Sequence, residues 1–298
     1  MLLIVGGDSE IGAATARAMQ ARGLAVAATT RRREVVTPDR PLLDLAAPLD
    51  DWEPPPGTKA ACLCAAVARL AACASDPQGS AHINVVQTLA LVEKLLARDI
   101  AVLFLSTDKV FNGRTAHQRA DAPHSPVCEY GRQKARAEAA LMGHTARGAP
   151  VAILRLAKVV SDGMPLIGGW VRDLSSGKSI RVFNDLALAP TPTDLVCAAI
   201  VALLQDRASG IFQLTGPRDI TYADIGRFLA AYLDADPALV RETSAATAGL
   251  PDGSTPQHTT LDSSRLRAHY GLEVPDVWKV VTRVAANAKD RIASPSHA

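Results

Sequence analysis

Tyr130 and Lys134, in the run Tyr130-Gly131-Arg132-Gln133-Lys134, are the residues whose types and spacing could carry chemistry. On a helix, four residues of separation put the phenol and the ammonium on one face. A phenol with a pKa near ~10 is a poor proton donor at neutral pH, but a close lysine stabilises the phenolate and lowers that value. General acid catalysis then becomes feasible. Alone, such a pair is usually helix surface. Its company here is Ser106-Thr107-Asp108-Lys109-Val110-Phe111-Asn112-Gly113, which follows an apolar run of strand length. Two hydroxyls and a carboxylate therefore fall at the carboxyl end of a strand, the edge where open α/β sheets bind ligands.

A second constellation opens the chain. Gly6-Gly7-Asp8-Ser9-Glu10-Ile11-Gly12 stands between an apolar run and a helix-forming segment. Gly6 and Gly12 would let the backbone approach a pyrophosphate, with Ser9, Glu10 and Ile11 at the helix N-terminus that favours its charge. An ordinary strand-to-helix turn would read the same way, and Ser9 stands where a third glycine is usual. The second strand ends in Thr29-Thr30-Arg31-Arg32-Arg33, where an NAD-preferring protein commonly has an acidic residue. Arg31 and Arg32 suit a 2′-phosphate, through charge-assisted and bidentate contacts, so NADPH is expected over NADH. A solvated charge run is the alternative.

The elements that must position these residues follow from hydrophobic patterning. Strand-length apolar runs at Leu2 to Val5, Ala25 to Thr29, Ala60 to Cys64, Val102 to Ser106 and Val151 to Leu156 alternate with segments of helical character. Those segments are Ala13 to Arg22, Ala81 to Ala97 and Tyr130 to Met142, and the alternation predicts a parallel sheet covered by helices. Asp50 to Gly57, with three consecutive prolines, reads as a surface loop. After Leu156, Gly163, Gly168, Gly169 and Gly177 interrupt the pattern, and a smaller lobe is expected to begin. Ser179 to Phe183 and Ile211 to Leu214 read as strands, and Thr193 to Gln205 and Tyr222 to Leu233 as helices. Ala245 to Gln257 is expected to be a mobile loop and Ser294 to Ala298 a frayed tail.

The expected fold is α/β, a Rossmann-like doubly wound parallel sheet with a smaller interleaved lobe. The dinucleotide-binding part would take 1–160 and about 180–214, and the substrate lobe about 161–179 and 215–298. The chain of 298 residues is long enough for either part to hold a core. A net charge of +2 without a Lys/Arg block argues against a nucleic-acid surface. Five cysteines read as reduced packing residues, and seven scattered histidines offer no zinc spacing. With neither signal peptide nor membrane-length apolar run, a soluble cytoplasmic protein is expected.

Together these motifs resemble the extended short-chain dehydrogenases/reductases, and within them the dTDP-4-dehydrorhamnose reductase family. That family shows a similar Ser-Thr-Asp-Tyr-Val-Phe run, in which Lys109 here replaces the tyrosine. The resemblance spans nearly the whole chain, through Leu43-Asp44-Leu45, Asn84, Leu154-Arg155-Leu156, Pro190-Thr191 and Thr259-Thr260-Leu261-Asp262. It implies that Thr107 polarises a substrate carbonyl, that Tyr130 donates the proton, and that Lys134 holds the nicotinamide ribose. It also implies cofactor contacts at Asp44, Leu45, Ala65, Ala66, Val67, Asn84, Ser106, Ala157 and Val159. Hydride would come from NADPH, and the substrate would be a 4-keto-6-deoxy sugar on a nucleoside diphosphate. Asp108 and Lys109 are expected on the substrate side, Lys109 against a diphosphate or a carboxylated sugar, with a plain surface lysine as the alternative. No nucleic acid or membrane is expected as a partner, and a homodimer is left open. Ser-Thr-Asp-Lys also occurs in sugar-nucleotide 4,6-dehydratases, so dehydration or epimerisation is an alternative activity. A non-catalytic NADP-binding regulatory role, as in the subunit of methionine adenosyltransferase that resembles these reductases, is another.

Overall fold

The computed structural model describes residues 1–250 and 255–293. Within Leu2–Val5, the first strand (β1), Leu3, Ile4 and Val5 are all shut off from solvent, as a strand covered on both faces requires. The glycine loop leads into α1 (Glu10–Ala21), and β2 (Val26–Ala28) returns beside β1. Past the proline-rich loop, β3 (Ala60–Leu63) pairs with the other side of β1. Two short helices, α2 (Leu70–Ser75) and α3 (Pro77–Ala81), run through a π-helical turn, His82–Gln87, into α4 (Thr88–Leu96). Then come β4 (Ala101–Thr107), α5 (Glu129–Ala146) and β5 (Val151–Leu156), with every residue of both strands buried.

The remaining elements are β6 (Val159–Val160), α6 (Pro165–Ser175), β7 (Ile180–Phe183), β8 (Ala187–Leu188), β9 (Thr191–Pro192) and α7 (Thr193–Gln205). They continue through β10 (Gly210–Leu214), β11 (Ile220–Thr221), α8 (Tyr222–Tyr232), β12 (Val240–Thr243), α9 (Ser264–Tyr270) and α10 (Val277–Ala293).

The central sheet runs β10-β5-β4-β3-β1-β2, all parallel. Side-chain alternation splits its core in two. Ile4, Leu103, Leu105 and Leu154 meet α1 and α7 on one face, while Leu3, Val5, Val102, Phe104 and Ile153 meet α4 and α5 on the other. The sheet is thus doubly wound, with its carboxyl edge open to ligands. At its far edge Asp39–Leu43 runs alongside β2, where Ala28 N donates to Asp39 O and Thr30 N to Pro41 O.

A separate apolar cluster joins α6, α8 and α10 to β7, through Ile167, Trp170, Ile180, Val182, Leu229, Val281 and Val284. This cluster departs from two expectations. The boundary drawn near residue 180 falls inside it, because Ile180 and Val182 pack there and β7 pairs with β12 rather than with the main sheet. The glycine-interrupted stretch contains a helix, α6, whose low propensity at Gly168 and Gly169 is overridden by packing on α10, where Ala288 Cβ approaches Gly168. Outside the cluster, the helix expected over 81–97 begins as a π-helical turn around Asn84 and becomes α-helical only at Thr88. Residues 251–254 of the expected mobile loop, and the expected tail 294–298, lie outside the described residues.

Candidate active site

The glycine loop closes on itself. Ser9, the N-cap of α1, accepts from Gly12 N at 3.1 Å and donates to Gly6 O at 2.7 Å. A serine in place of a third glycine is therefore a helix cap. By position, the amides of Glu10 and Ile11 have no intrahelical acceptor and remain available at the positive end of the helix. Gly6 has φ +89°, and a Cβ there would lie 2.7 Å from Ala65 N. Only glycine lets the loop pass β3 so closely.

These residues open a cleft of about 380 Å³ at the carboxyl edge of β1, β2 and β3. Gly6, Ser9, Arg31, Asp44, Leu45, Ala65, Ala66 and Val67 line it, as do Asp8, Thr29, Thr30, Arg69 and Ile83. Asn84 does not. It is buried, its amide embracing the backbone of Val67 (Val67 N to Oδ1, 2.8 Å; Nδ2 to Val67 O, 2.9 Å) and donating to Gln133 Oε1 at 2.8 Å. The expected cofactor contact is thus a support for the wall. Ala157 and Val159 also lie off this cleft, Val159 pairing with Thr191 in the β6–β9 ladder.

At the end of β4, Thr107 Oγ1 donates to Asp108 Oδ1 at 3.0 Å, and Lys109 Nζ donates to Asp108 Oδ2 at 3.0 Å. α5 can approach this turn because its third residue is Gly131, where a Cβ would collide with the Lys109 carbonyl oxygen. Half-buried Tyr130 is thereby brought near Asp108. Burial, with the Asp108 carboxylate adding to it, pushes the Tyr130 phenol above its ordinary range. Lys134 is buried, its ammonium donating to Leu105 O at 2.7 Å over the Phe104 ring, and burial pushes it down to about 8. The lowering of Tyr130 expected from Lys134 is not found: desolvation of both groups dominates, and the lysine's hydrogen bond goes to the strand.

Several residues that the sequence reading missed hold this arrangement. Gln133, fully buried, donates to Ser80 Oγ at 2.8 Å and to Glu129 Oε1 at 3.1 Å, tying α5 to α3. Glu138, one turn beyond Lys134, accepts from Arg155 Nη2 at 2.7 Å and from His124 Nε2 at 2.8 Å. Burial opposes its ionisation, but the hydrogen bonds from His124 and Arg155 outweigh that and hold the carboxyl below its usual range. Asp219 pins Thr259 and Thr260 through three hydrogen bonds. The i, i+4 spacing of Lys134 and Glu138 was a visible signal; Ser80 lies 53 residues from Gln133 and Thr259 lies 40 from Asp219, and those pairings had none.

Asp108 and Lys109 face a second cleft of about 530 Å³, with Asn112, Glu129, Arg132 and apolar residues such as Leu70, Ala74 and Val127. Two observations test whether the residues fit a dinucleotide cofactor. The Gly6 cradle is one that a Cβ would fill, and Ser106 Oγ, at the inner end of β4, is buried without a hydrogen-bond partner among the described residues. Both fit.

A doubly wound parallel sheet with a glycine-lined cleft at its carboxyl edge and a Tyr/Lys pair on the adjoining helix defines an extended short-chain dehydrogenase/reductase. Comparison with known proteins narrows this. The family model described as the RmlD substrate binding domain matches residues 1–289, and the chain belongs to that family. It is 28% identical over 222 residues, 71% of this chain and 72% of the other, to a probable low-salt glycan biosynthesis reductase of Haloferax volcanii. To a dTDP-4-dehydrorhamnose reductase of Sinorhizobium fredii it is 25% identical, over 70% of this chain and 73% of that protein. The crystal structure of dTDP-4-dehydrorhamnose reductase from Bacillus anthracis str. Ames in complex with NADP superposes with a TM-score of 0.75 at 14% identity, covering 98% and 97% of the two chains. Among the described residues, no helix is long and apolar enough to cross a membrane.

Proposed function

We propose that this chain is an NADPH-dependent reductase of a 4-keto-6-deoxy sugar carried on a nucleoside diphosphate, with Tyr130 as proton donor. The observation that carries the reading is that Tyr130 lies near Asp108, the hydrogen-bond partner of Thr107, and that the Lys134 ammonium binds Leu105 O, so all three belong to the carboxyl end of β4, beside a cleft built on a glycine loop. Family membership and two reductases among its relatives support it.

In this reading Gly6, Ser9, Glu10, Ile11 and Gly12 hold the pyrophosphate, and Asp44, Leu45, Ala65, Ala66 and Val67 flank the adenosine. Arg31, which lines the cleft, meets the 2′-phosphate first, with Arg32 second. Ser106 and Lys134 face the nicotinamide end with Ala157 and Val159, and Asn84 acts from behind Val67. When bound, NADPH supplies a hydride to the keto carbon. Thr107 orients the carbonyl oxygen, and Tyr130, still carrying its proton because burial disfavours phenolate, delivers that proton to the oxygen. Asp108 and Lys109 contact the substrate from the second cleft.

The Asp108–Lys109 pair beside Tyr130 also favours a second reading, proton handling in sugar-nucleotide dehydration. One experiment separates the two. Purified protein is mixed with a panel of nucleotide sugars and keto sugars, in one arm with NADPH and in another with NAD+ or NADP+, and both cofactor absorbance and products are followed. Stoichiometric NADPH oxidation with alcohol formation is expected. Water loss without net NADPH oxidation would replace the reductase reading, and cofactor binding without turnover would point to a regulatory role.

A further inference from the structure

We propose that Asp8 sets the chain's choice between NADPH and NADH, by competing with the 2′-phosphate of NADPH for the guanidinium groups of Arg40 and Arg32. The inference rests on the cofactor reading above.

Asp8 comes from the glycine loop, not from the end of β2 where an acidic residue for the ribose diol usually sits. It nevertheless reaches that place. Its carboxylate accepts from Thr30 Oγ1 at 2.7 Å, from the Arg31 amide at 3.2 Å and from Arg40 Nη2 at 2.6 Å, and Arg32 Nε stands 3.7 Å away. Arg40 arrives through the strand-like run beside β2, so its approach is a product of the sheet edge. Asp8, Thr30 and Arg31 all line the cleft. Partial burial works against the ionised carboxyl, but the bonds from Thr30 and Arg40 outweigh it and hold Asp8 below the usual carboxylate range.

The Asp8 carboxylate thus already occupies the guanidinium groups of Arg40 and Arg32. Among the described residues Arg31 has no carboxylate partner. A ribose hydroxyl can donate to Asp8 and leave its arginines in place. A phosphate dianion has no proton to donate; it carries a like charge of about −1.5 to −2, and beyond the contact that unpaired Arg31 can give, any further arginine must be drawn from the carboxylate, Arg40 or Arg32. Asp8 therefore moderates the NADPH preference that the arginines alone would confer.

The test is equilibrium titration of native protein, Asp8→Asn and Arg40→Gln with NADPH and with NADH, at low and moderate salt. Asparagine can still accept from Thr30 and the Arg31 amide but carries no charge. Asp8→Asn is expected to tighten NADPH by about three- to tenfold and to weaken NADH, the modest size reflecting partly exposed charges, with both shifts shrinking as salt rises. Arg40→Gln should weaken NADPH and leave NADH unchanged, and it carries the test if Asp8→Asn does not fold. Unchanged or weaker NADPH binding by folded Asp8→Asn, or equal loss of both cofactors in Arg40→Gln, would overturn the inference. Native protein that binds neither cofactor would instead overturn the cofactor reading on which it stands.

Discussion

Tyr130 keeps its proton because its surroundings disfavour phenolate, whereas Lys134 is charged at neutral pH despite a burial that works against it. Replacing Tyr130 with Phe removes the proposed proton donor without altering the cleft around Gly6. Turnover should fall by at least ~100-fold, the usual worth of a positioned proton transfer, while NADPH affinity measured by titration stays nearly constant. A variant that kept native turnover would remove Tyr130 from the mechanism. Lys134 predicts two pH trends of opposite sign. If its ammonium supports the cofactor, NADPH-dependent activity falls as pH rises through about 8. Stability moves the other way. The folded value lies below the unfolded one, so between about 8 and the ordinary lysine range the unfolded chain binds more protons, and stability rises with pH there. The difference in denaturation free energy between native protein and Lys134→Met, followed across that window, should show the rise.

At the scale of single elements, the entry to α1 is the most direct case. Ser9 accepts from Gly12 N and donates to Gly6 O, so one hydroxyl both caps the helix and folds the loop. Ser9→Ala should cost about 1 kcal/mol in urea denaturation and Ser9→Gly only a few tenths, since glycine also suits this cap position. Equal losses would mean that Ser9 acts through packing and not as a cap. α5 is placed by different means, with Gly131 admitting the helix to the Thr107–Lys109 turn and Gln133 fastening it to α3. The π-helical turn at His82–Gln87 serves the same end, since it holds Asn84 between Val67 and Gln133.

Across the whole molecule, Arg155 joins parts of the chain that no local pattern relates. From β5 it reaches Glu138 on α5, the carbonyl of Ala120 and Gln213 on β10, and Gln213 in turn donates to Asp262 O. Both ions of the pair are almost wholly buried. Glu138→Gln should therefore cost about 3–5 kcal/mol, because it leaves a buried guanidinium uncompensated. Replacing both residues with Met should cost less than the two single changes summed, as measured by chemical denaturation. The folded-state value of Glu138 is depressed, so its contribution is present above the unfolded carboxylate value and lost as pH falls through the folded one. Native protein should show this acid loss and Glu138→Gln should not.

Much of this was legible in the chain itself. Strand-length apolar runs marked β1 to β5 and β10, since a strand covered on both faces has to be apolar throughout, and the glycine loop and the Tyr130/Lys134 spacing are local geometry that a short window contains. α6 was not legible, because Gly168 and Gly169 lower its propensity and only packing on α10 restores it; nor was β7's place in the smaller lobe, because strand character does not name a pairing partner. Arg31 and Arg32 were visible as a charge run. That Asp8 already holds Arg32 and Arg40 was not, since the three meet only where the sheet edge brings residues 8, 32 and 40 together. The sequence by itself determined the layered architecture and singled out Tyr130 and Lys134 as the proposed reactive pair. The tertiary structure alone decided the protonation of that pair and the partners of every buried charge, because desolvation and ion pairing depend on what surrounds a group in space and not on its neighbours in the chain.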